Sequence, residues 1–309
     1  MDWTPLIITV APNGARKTKA DHPALPMTPD EIAKDAKACL AAGAAMMHLH
    51  VRDGNGEHSL DISHYQQAMD AVHTAVGNDL VLQITTESVG RYTPDEQIAL
   101  VKNLKPEAAS VGLKELTLDG DDKATAFYTW ASNEGIALQH ILYDIEDIAH
   151  LANIVNQGAI PSVNLHVLYV LGRYGGEPSQ PADLLPFLDA AEVHKLQPTT
   201  WSVCAFGAGE GAVALTALSL GGHVRVGFEN NLYLNSGQQS PHNAALVKQV
   251  ADGAELIARP LCHAQDVRAL MGAGGEGGRK SRIISKSEEK VRHHTATQPR
   301  DVSTYLSNP

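Results

Sequence analysis

The chain has 309 residues and a formal net charge of −11, which argue against a surface that binds nucleic acid or anionic lipid. Its apolar fraction of 43% supports a large core, and its 5% of aromatic residues indicates a core of small and aliphatic side chains. Three scattered cysteines without C-x-x-C spacing predict a reducing, cytoplasmic compartment and no disulfide framework. No apolar stretch has the length of a transmembrane helix, so we expect no membrane partner.

Short apolar runs alternate with amphipathic segments from the N-terminus onward. Eight strands are predicted, at 6–10, 46–50, 80–86, 108–112, 137–143, 162–170, 199–205 and 224–227. A helix is predicted after each strand. The clearest helix starts lie at 28–31 and 93–96, where a threonine N-cap precedes a proline and two acids.

Strict alternation of strand and helix predicts a parallel sheet covered by helices. Eight units over about 250 residues predict an α/β fold, the (β/α)₈ TIM barrel, with a doubly wound open sheet as the alternative. We place the barrel at residues 1–265 and a C-terminal extension at 266–309. The extension begins near a glycine-rich segment, continues with mixed charges, and is expected to be partly flexible or to contact another subunit.

The second predicted strand carries His48 and His50 at positions i and i+2. Side chains alternate along a strand, so both imidazoles lie on one face and can ligate one metal ion. A histidine pair alone also occurs on strands that bind no metal, so a third ligand must come from elsewhere. The best candidate is Glu229, which follows the last predicted strand. In a barrel, both segments reach the face that carries active sites.

Four segments carry a resemblance to a known family. They are 9–14, the helix start at 28–31, the run His48-Leu49-His50-Val51-Arg52-Asp53, and the run Gly221-Gly222-His223-Val224-Arg225-Val226-Gly227-Phe228-Glu229-Asn230-Asn231. Together they resemble the β-keto acid cleavage enzymes over roughly residues 5–262. The resemblance implies a TIM barrel, a homotetramer and one Zn²⁺ per subunit. It implies that a 3-oxo acid and acetyl-CoA react to give acetoacetate and a new acyl-CoA.

By motif matching, the resemblance implies that His48, His50 and Glu229 are the metal ligands, although this ligand set accepts other divalent ions too. It implies that Arg225 is the arginine beside the catalytic acid. The bound ion would stabilise the enolate of the keto acid. That enolate would attack the thioester of acetyl-CoA, and the released CoA thiolate would then cleave the chain.

The catalytic base is the main departure from the family. Asn230 stands where the family has an aspartate that is proposed as the base, and an amide takes no proton at neutral pH. Glu87 and Glu115, at predicted strand ends, are the candidate substitutes. The alternative is that these glutamates form structural ion pairs with Arg16 or Lys114.

The candidate substrate-binding residues are Arg16, Thr85 and Asn13. Arg16 aligns with a family glutamate that faces an amino group of the substrate, so it favours a carboxylate at the distal end. Thr85 replaces a serine and keeps the hydroxyl group. Arg16 has a structural alternative as well, an ion pair with a loop acid.

The candidate contacts to CoA are Arg173 and Gly175, in the glycine-rich loop 172–176, and Gly207, which precedes a predicted helix. The alternative for Gly207 is an ordinary tight turn.

Two other functions stay open on the same barrel. One is a metal-dependent aldolase or lyase that acts without CoA. The other is a barrel that binds a metabolite without turnover, which Asn230 makes conceivable.

Overall fold

The computed structural model describes residues 3–273 except 159, 161 and 163. Its strands are β1 Ile8–Val10, β2 Met46–Leu49, β3 Val51–Arg52, β4 His58–Ser59, β5 Val81–Thr85, β6 Ala108–Gly112, β7 Ala137–Leu142, β8 His166–Leu171, β9 Thr200–Ala205 and β10 His223–Val226. All except β3 and β4 are parallel and close into a barrel in the order β1-β2-β5-β6-β7-β8-β9-β10. The predicted fold class, a (β/α)₈ barrel, is confirmed.

The helices follow the barrel strands. They are α1 Pro29–Ala41, α2 Ile62–Val76, α3 Pro94–Leu104, α4 Leu113–Leu116, α5 Asp121–Glu134, α6 Ile145–Asn156, α7 Leu185–Val193, α8 Glu210–Ser219, α9 Asn243–Leu256 and α10 Ala264–Met271. Thr28 and Thr93 cap α1 and α3 with complete capping boxes, as their sequence pattern predicts. Within the part of the chain described, no helix is both long and apolar enough to cross a membrane.

Three elements differ from the prediction. The sixth barrel strand begins at His166 rather than at 162, because Asn164 adopts a left-handed backbone with φ +60°. The segment after β2 is a small antiparallel hairpin, β3 and β4, and not a simple loop. The short helix α4 follows β6 directly and carries Glu115, which was expected at a strand end.

Strand alternation divides the core into two layers. Met47 and Leu49 of β2 face outward into the large apolar layer between strands and helices. Met46 faces inward and joins the floor of the barrel, which Val267 and Met271 of α10 cover. The predicted boundary at 265 therefore falls inside a helix that closes the barrel, and residues 266–273 pack as part of it. The rest of the predicted extension, 274–309, lies outside the described residues.

Candidate active site

His48, His50 and Glu229 meet at the C-terminal end of the barrel. The ring nitrogens His48 Nε2 and His50 Nε2 lie 3.0 Å apart, and Glu229 Oε2 lies 3.6 Å from the first and 3.3 Å from the second. All three side chains are buried, and each can offer one ligand atom within 4.8 Å of the other two. Glu229 Oε2 accepts no hydrogen bond within the described chain. Two imidazoles and a free carboxylate oxygen at this spacing fit a divalent cation with positions left for substrate.

The outer nitrogens of the two histidines have different surroundings. His48 Nδ1 lies 2.9 Å from the Gln83 side-chain oxygen, so Nδ1 carries the proton and Nε2 faces the cluster with its lone pair. Burial, and next the charge of Arg225, hold the pKa of His48 well below its ordinary value. His50 Nδ1 has no hydrogen-bond partner among the described residues, and Glu87 Oε2 stands 3.9 Å from it.

Arg225 keeps Glu229 ionised, and Arg225 and Lys17 together hold it in position. Burial alone would raise the pKa of this carboxyl, but Arg225 and the two histidines hold that pKa well below its usual range. Arg225 Nη2 donates to Glu229 Oε1 at 2.9 Å and also contacts Cys204 Sγ at 3.3 Å. Lys17 Nζ donates to the backbone oxygen of Glu229 at 2.6 Å. Sequence reasoning missed Lys17, since nothing local in its loop points to a contact 212 residues away.

A buried frame fixes the segment that carries Glu229. Glu210 accepts hydrogen bonds from the Gly227 amide at 3.0 Å and from the Asn231 side chain at 3.2 Å. Burial raises the pKa of Glu210 to about 8. Gly14 lies against the other side of the segment. Its backbone has φ +59°, and a Cβ there would stand 2.5 Å from Glu229 Cγ, so only glycine fits.

A cavity of about 300 Å³ opens beside the cluster. Several of its walls come from loops that follow the barrel strands. Its lining includes the predicted residues Arg16, His48, Thr85, Glu87, Glu115, Arg173, Arg225 and Glu229. Sequence reasoning missed Tyr174. Its ring lies under Arg16 and Lys17 at 5.1 and 5.0 Å, and its buried hydroxyl has no partner within the described residues.

Five predicted residues do not line this cavity: His50, which belongs to the cluster beside it, and Asn13, Asn230, Gly207 and Gly175. The Asn13 side chain is fully buried and donates to the backbone oxygens of Pro26 and His50, so it holds the strand end rather than a ligand. The Asn230 side chain is buried and does not reach the cavity lining. The Gly207 amide donates to the Asn230 backbone oxygen at 3.1 Å, which leaves it unavailable to an anion. Gly175 lies in the loop at the cavity mouth with open space around it.

The two candidate bases have different environments. Glu115 accepts from the Ser88 amide at 3.1 Å, the Ser88 hydroxyl at 3.0 Å and the Gln97 amide at 2.5 Å. These bonds tie Glu115 to the loop in which Val89, a β-branched residue, has a strained φ of +48°. No described residue donates a hydrogen bond to the Glu87 carboxylate, and burial raises the pKa of Glu87 above its ordinary value. Of the two candidate bases, Glu87 therefore has the carboxylate that is less constrained by the described residues.

A family model described as beta-keto acid cleavage enzyme matches residues 5–272. The chain belongs to this family. A 3-keto-5-aminohexanoate cleavage enzyme from Acetoanaerobium sticklandii is 30% identical over 274 residues, which cover 86% of this chain and 98% of that protein. A 3-oxoadipate:acetyl-CoA acetyltransferase from Cupriavidus necator is 28% identical over 275 residues, which cover 87% of this chain and 95% of that protein. The apo structure of ObcA matches with a TM-score of 0.66 at 16% identity, over 82% of this chain and 66% of the ObcA chain. This similarity supports the barrel fold.

The family and the names of these relatives establish the class of chemistry. This β-keto acid cleavage enzyme is an acyltransferase that cleaves a carbon–carbon bond. The two relatives are named for different oxo acids, 3-keto-5-aminohexanoate and 3-oxoadipate, and the name of the second also states acetyl-CoA. The family therefore fixes the general reaction and leaves the substrate to the residues that line the cavity.

Proposed function

We propose that the chain uses Zn²⁺ to cleave a 3-oxo acid with acetyl-CoA, giving acetoacetate and a new acyl-CoA, and that the acid carries a second anionic group at its distal end. The observation that carries the proposal is the convergence of His48, His50 and Glu229 on the cavity that Arg225 and Glu87 also line.

The reaction balances without an oxidant or reductant. A base removes a proton from C2 of the 3-oxo acid, and the C2 carbanion attacks the acetyl carbonyl, which expels CoA thiolate. The thiolate then adds to the original C3 carbonyl, and the C2–C3 bond breaks. C2 takes back a proton and leaves as acetoacetate, while the remaining acyl group leaves as its CoA ester, shorter than the supplied acid by a two-carbon fragment.

His48, His50 and Glu229 would hold the ion. When bound there, a divalent cation supplies Lewis-acid polarisation of the keto oxygen, which makes the C2 proton easier to remove. Glu87 takes that proton, because it is the cavity carboxylate to which no described residue donates a hydrogen bond. Arg225 keeps Glu229 ionised and adds positive charge to the wall where negative charge develops on substrate oxygens.

Arg16 supports an acidic group at the far end of the substrate. It lines the cavity above the Tyr174 ring, and no described carboxylate lies within ion-pair distance of it. A guanidinium there can form a bidentate pair with a carboxylate. The relative that is named for 3-oxoadipate, a dicarboxylate, matches this expectation. Thr85 adds a buried hydroxyl to the same cavity.

The loop 172–176 is the proposed contact for CoA. Arg173 is exposed at the cavity mouth, where it can reach an anionic group of the cofactor. Gly175 leaves space for close approach of the chain to that group. The Gly207 amide already donates to a backbone oxygen, so we assign the anion contact to Arg173.

The family resemblance supports a homotetramer. The free cysteines at 39, 204 and 262 support a reducing cytoplasm.

The test is a screen of 3-oxo acids with acetyl-CoA on protein of known metal content, with acyl-CoA products followed by mass spectrometry. We expect a dicarboxylic 3-oxo acid to give the shortened acyl-CoA with equimolar acetoacetate, and His48→Ala to abolish both products. If zinc-loaded protein cleaves an oxo acid without acetyl-CoA, the CoA-independent lyase is correct. If the parent is inactive and Asn230→Asp creates activity, the chain is a metabolite-binding barrel.

A further inference from the structure

A row of polar side chains crosses the inside of the barrel below the metal-ligand cluster. His48 Nδ1 lies 2.9 Å from Gln83 Oε1, Gln83 Nε2 donates to Gln139 Oε1 at 3.2 Å, and Gln139 Nε2 donates to Ser202 Oγ at 3.3 Å. We name Gln83, Gln139 and Ser202 the polar row. All three are at most 5% exposed. They lie on β5, β7 and β9, which are alternate strands of the barrel.

The polar row is unusual for its position. Layers inside such barrels are built from alternate strands and are dominated by branched aliphatic side chains. Buried amides and hydroxyls cost free energy unless they are hydrogen-bonded, and a row of this kind has to be satisfied as a whole. Apolar side chains of the same volume would fill the space, so the row calls for an explanation beyond packing.

The bonds in the row all run in one direction. An amide has distinct donor and acceptor ends, so the orientations of Gln83 and Gln139 are coupled and one amide cannot turn over without the other. Ser202 accepts from Gln139, Gln139 accepts from Gln83, and the Gln83 oxygen is thereby turned toward His48. Only the His48 tautomer with its proton on Nδ1 can donate to that oxygen. This tautomer leaves the Nε2 lone pair facing His50 and Glu229.

We propose that the polar row is a positioning device that holds His48 in its metal-binding tautomer. The proposal rests on the metal centre of the proposed function. Its least obvious member is Gln139, which lines neither the cavity nor the ligand cluster and acts only through Gln83. Without Gln139, the Gln83 amide can turn over and present its NH₂ group to His48. The histidine proton then moves to Nε2, and the ligand is lost.

The expected effect is a loss of metal affinity at a residue remote from the metal. Loss of a residue that hydrogen-bonds to a metal ligand typically lowers metal affinity by about 10–100-fold. A His48 tautomer with its proton on Nε2 cannot bind the ion, so the apparent affinity falls with the fraction of His48 in the other, binding tautomer. Gln139→Met keeps the volume of the side chain and removes both polar ends. We expect it to bind Zn²⁺ about tenfold more weakly than the parent.

The measurement is titration of the apo protein with Zn²⁺ against a chromophoric chelator, and with Co²⁺ for its visible spectrum. The matched control is Ser110→Ala. Ser110 faces Gln139 in register on β6, is fully buried, and its hydroxyl has no partner among the described residues. This variant should bind Zn²⁺ like the parent. The Co²⁺ bands of saturated Gln139→Met should match those of the parent, because the ligands themselves are unchanged.

A second substitution separates the tautomer from packing. Gln83→Glu places a carboxylate beside His48, which accepts from Nδ1 whichever way it turns. In that background Gln139→Met should change Zn²⁺ affinity less than twofold. If Gln139→Met does not fold, Ser202→Ala tests the same link and should weaken binding in the same direction.

Equal Zn²⁺ affinity of Gln139→Met and the parent would overturn the role of the row and leave the metal centre intact. An equal loss in the Gln83→Glu background would overturn it too, because the effect would then come from packing. If the parent itself binds no divalent ion, the metal centre and the row fail together, and the chelator titration of the parent shows this before any variant is compared.

Discussion

Replacement of Glu87 by glutamine tests the assignment of the catalytic base. Glutamine has the shape of glutamate but takes no proton. Glu87 makes no side-chain hydrogen bond with the described residues, so the change leaves no broken network behind. A positioned general base contributes roughly 10²–10⁴ in rate. We therefore expect kcat to fall by that factor in Glu87→Gln, which corresponds to about 3–5 kcal/mol in the barrier.

The assay is exchange of the C2 protons of the 3-oxo acid with D₂O, run without acetyl-CoA and corrected for exchange without enzyme. This half-reaction isolates proton removal from the later chemistry. Bound zinc is measured on the same sample. The control is Glu115→Gln, which lines the same cavity but sits in three hydrogen bonds. We expect it to keep exchange within about tenfold of the parent, because an amide oxygen still accepts from Ser88.

Exchange at the parent's rate in Glu87→Gln would refute the assignment. A joint fall in exchange and in bound zinc would also refute it and give Glu87 another role. At 3.9 Å from His50 Nδ1, the carboxylate would then act by orienting the imidazole. A loss of exchange with zinc retained is the single outcome that identifies a base.

Three further predictions concern specificity, the metal centre and stability. Arg16→Gln should lower kcat/KM for a dicarboxylic 3-oxo acid by about 10²-fold, because the dicarboxylic acid loses a charged hydrogen bond. The kcat/KM for an acid with a neutral distal end should change little, and equal losses for both acids would contradict a distal carboxylate site. Gly14→Ala should weaken Zn²⁺ binding at least about tenfold by displacing Glu229, whereas Gly77→Ala, with a similar φ of +61° and open surroundings, should leave affinity unchanged in a chelator titration. Burial raises the pKa of Asp35 from 3.8 to about 7, so the folded state holds its proton more tightly. Its contribution to stability is fully present below pH 3.8 and is lost as pH rises from there through 7. About 3 kcal/mol of it should be lost between pH 5 and 8, and Asp35→Asn should remove this slope in urea unfolding.

The barrel was predictable because its signals are local. Apolar runs and the threonine caps repeat with the period of a strand–helix unit, and a closed parallel sheet needs little more. The proximity of His48 and His50 was predictable for a related reason, since alternation on one strand decides which side chains share a face. Glu229 followed from the rule that strand ends meet at one face of a barrel.

The residues that support this cluster were not predictable, because they depend on contacts between distant segments. Lys17 and Glu210 hold the Glu229 segment from other loops, and no spacing in the sequence relates them to it. The hairpin β3–β4 was missed because its strands have two residues each. Gln83 did leave a signal, since it is a polar residue inside an apolar strand, but its direction became clear only from its bond to His48.

The environment of Asn230 supports the proposal that the catalytic base lies elsewhere, at Glu87. Its amide is buried without a partner among the described residues, and it stands next to Glu229, which is ionised. An aspartate there would place a second buried negative charge next to that of Glu229, at a cost of several kcal/mol. Glu87 instead brings its carboxylate in from β5, beside the cavity. We therefore expect Asn230→Asp, added to Glu87→Gln, to leave C2 exchange unrestored. Recovery of exchange in the double variant would mean that position 230 can reach the substrate after all, and that the base has not moved.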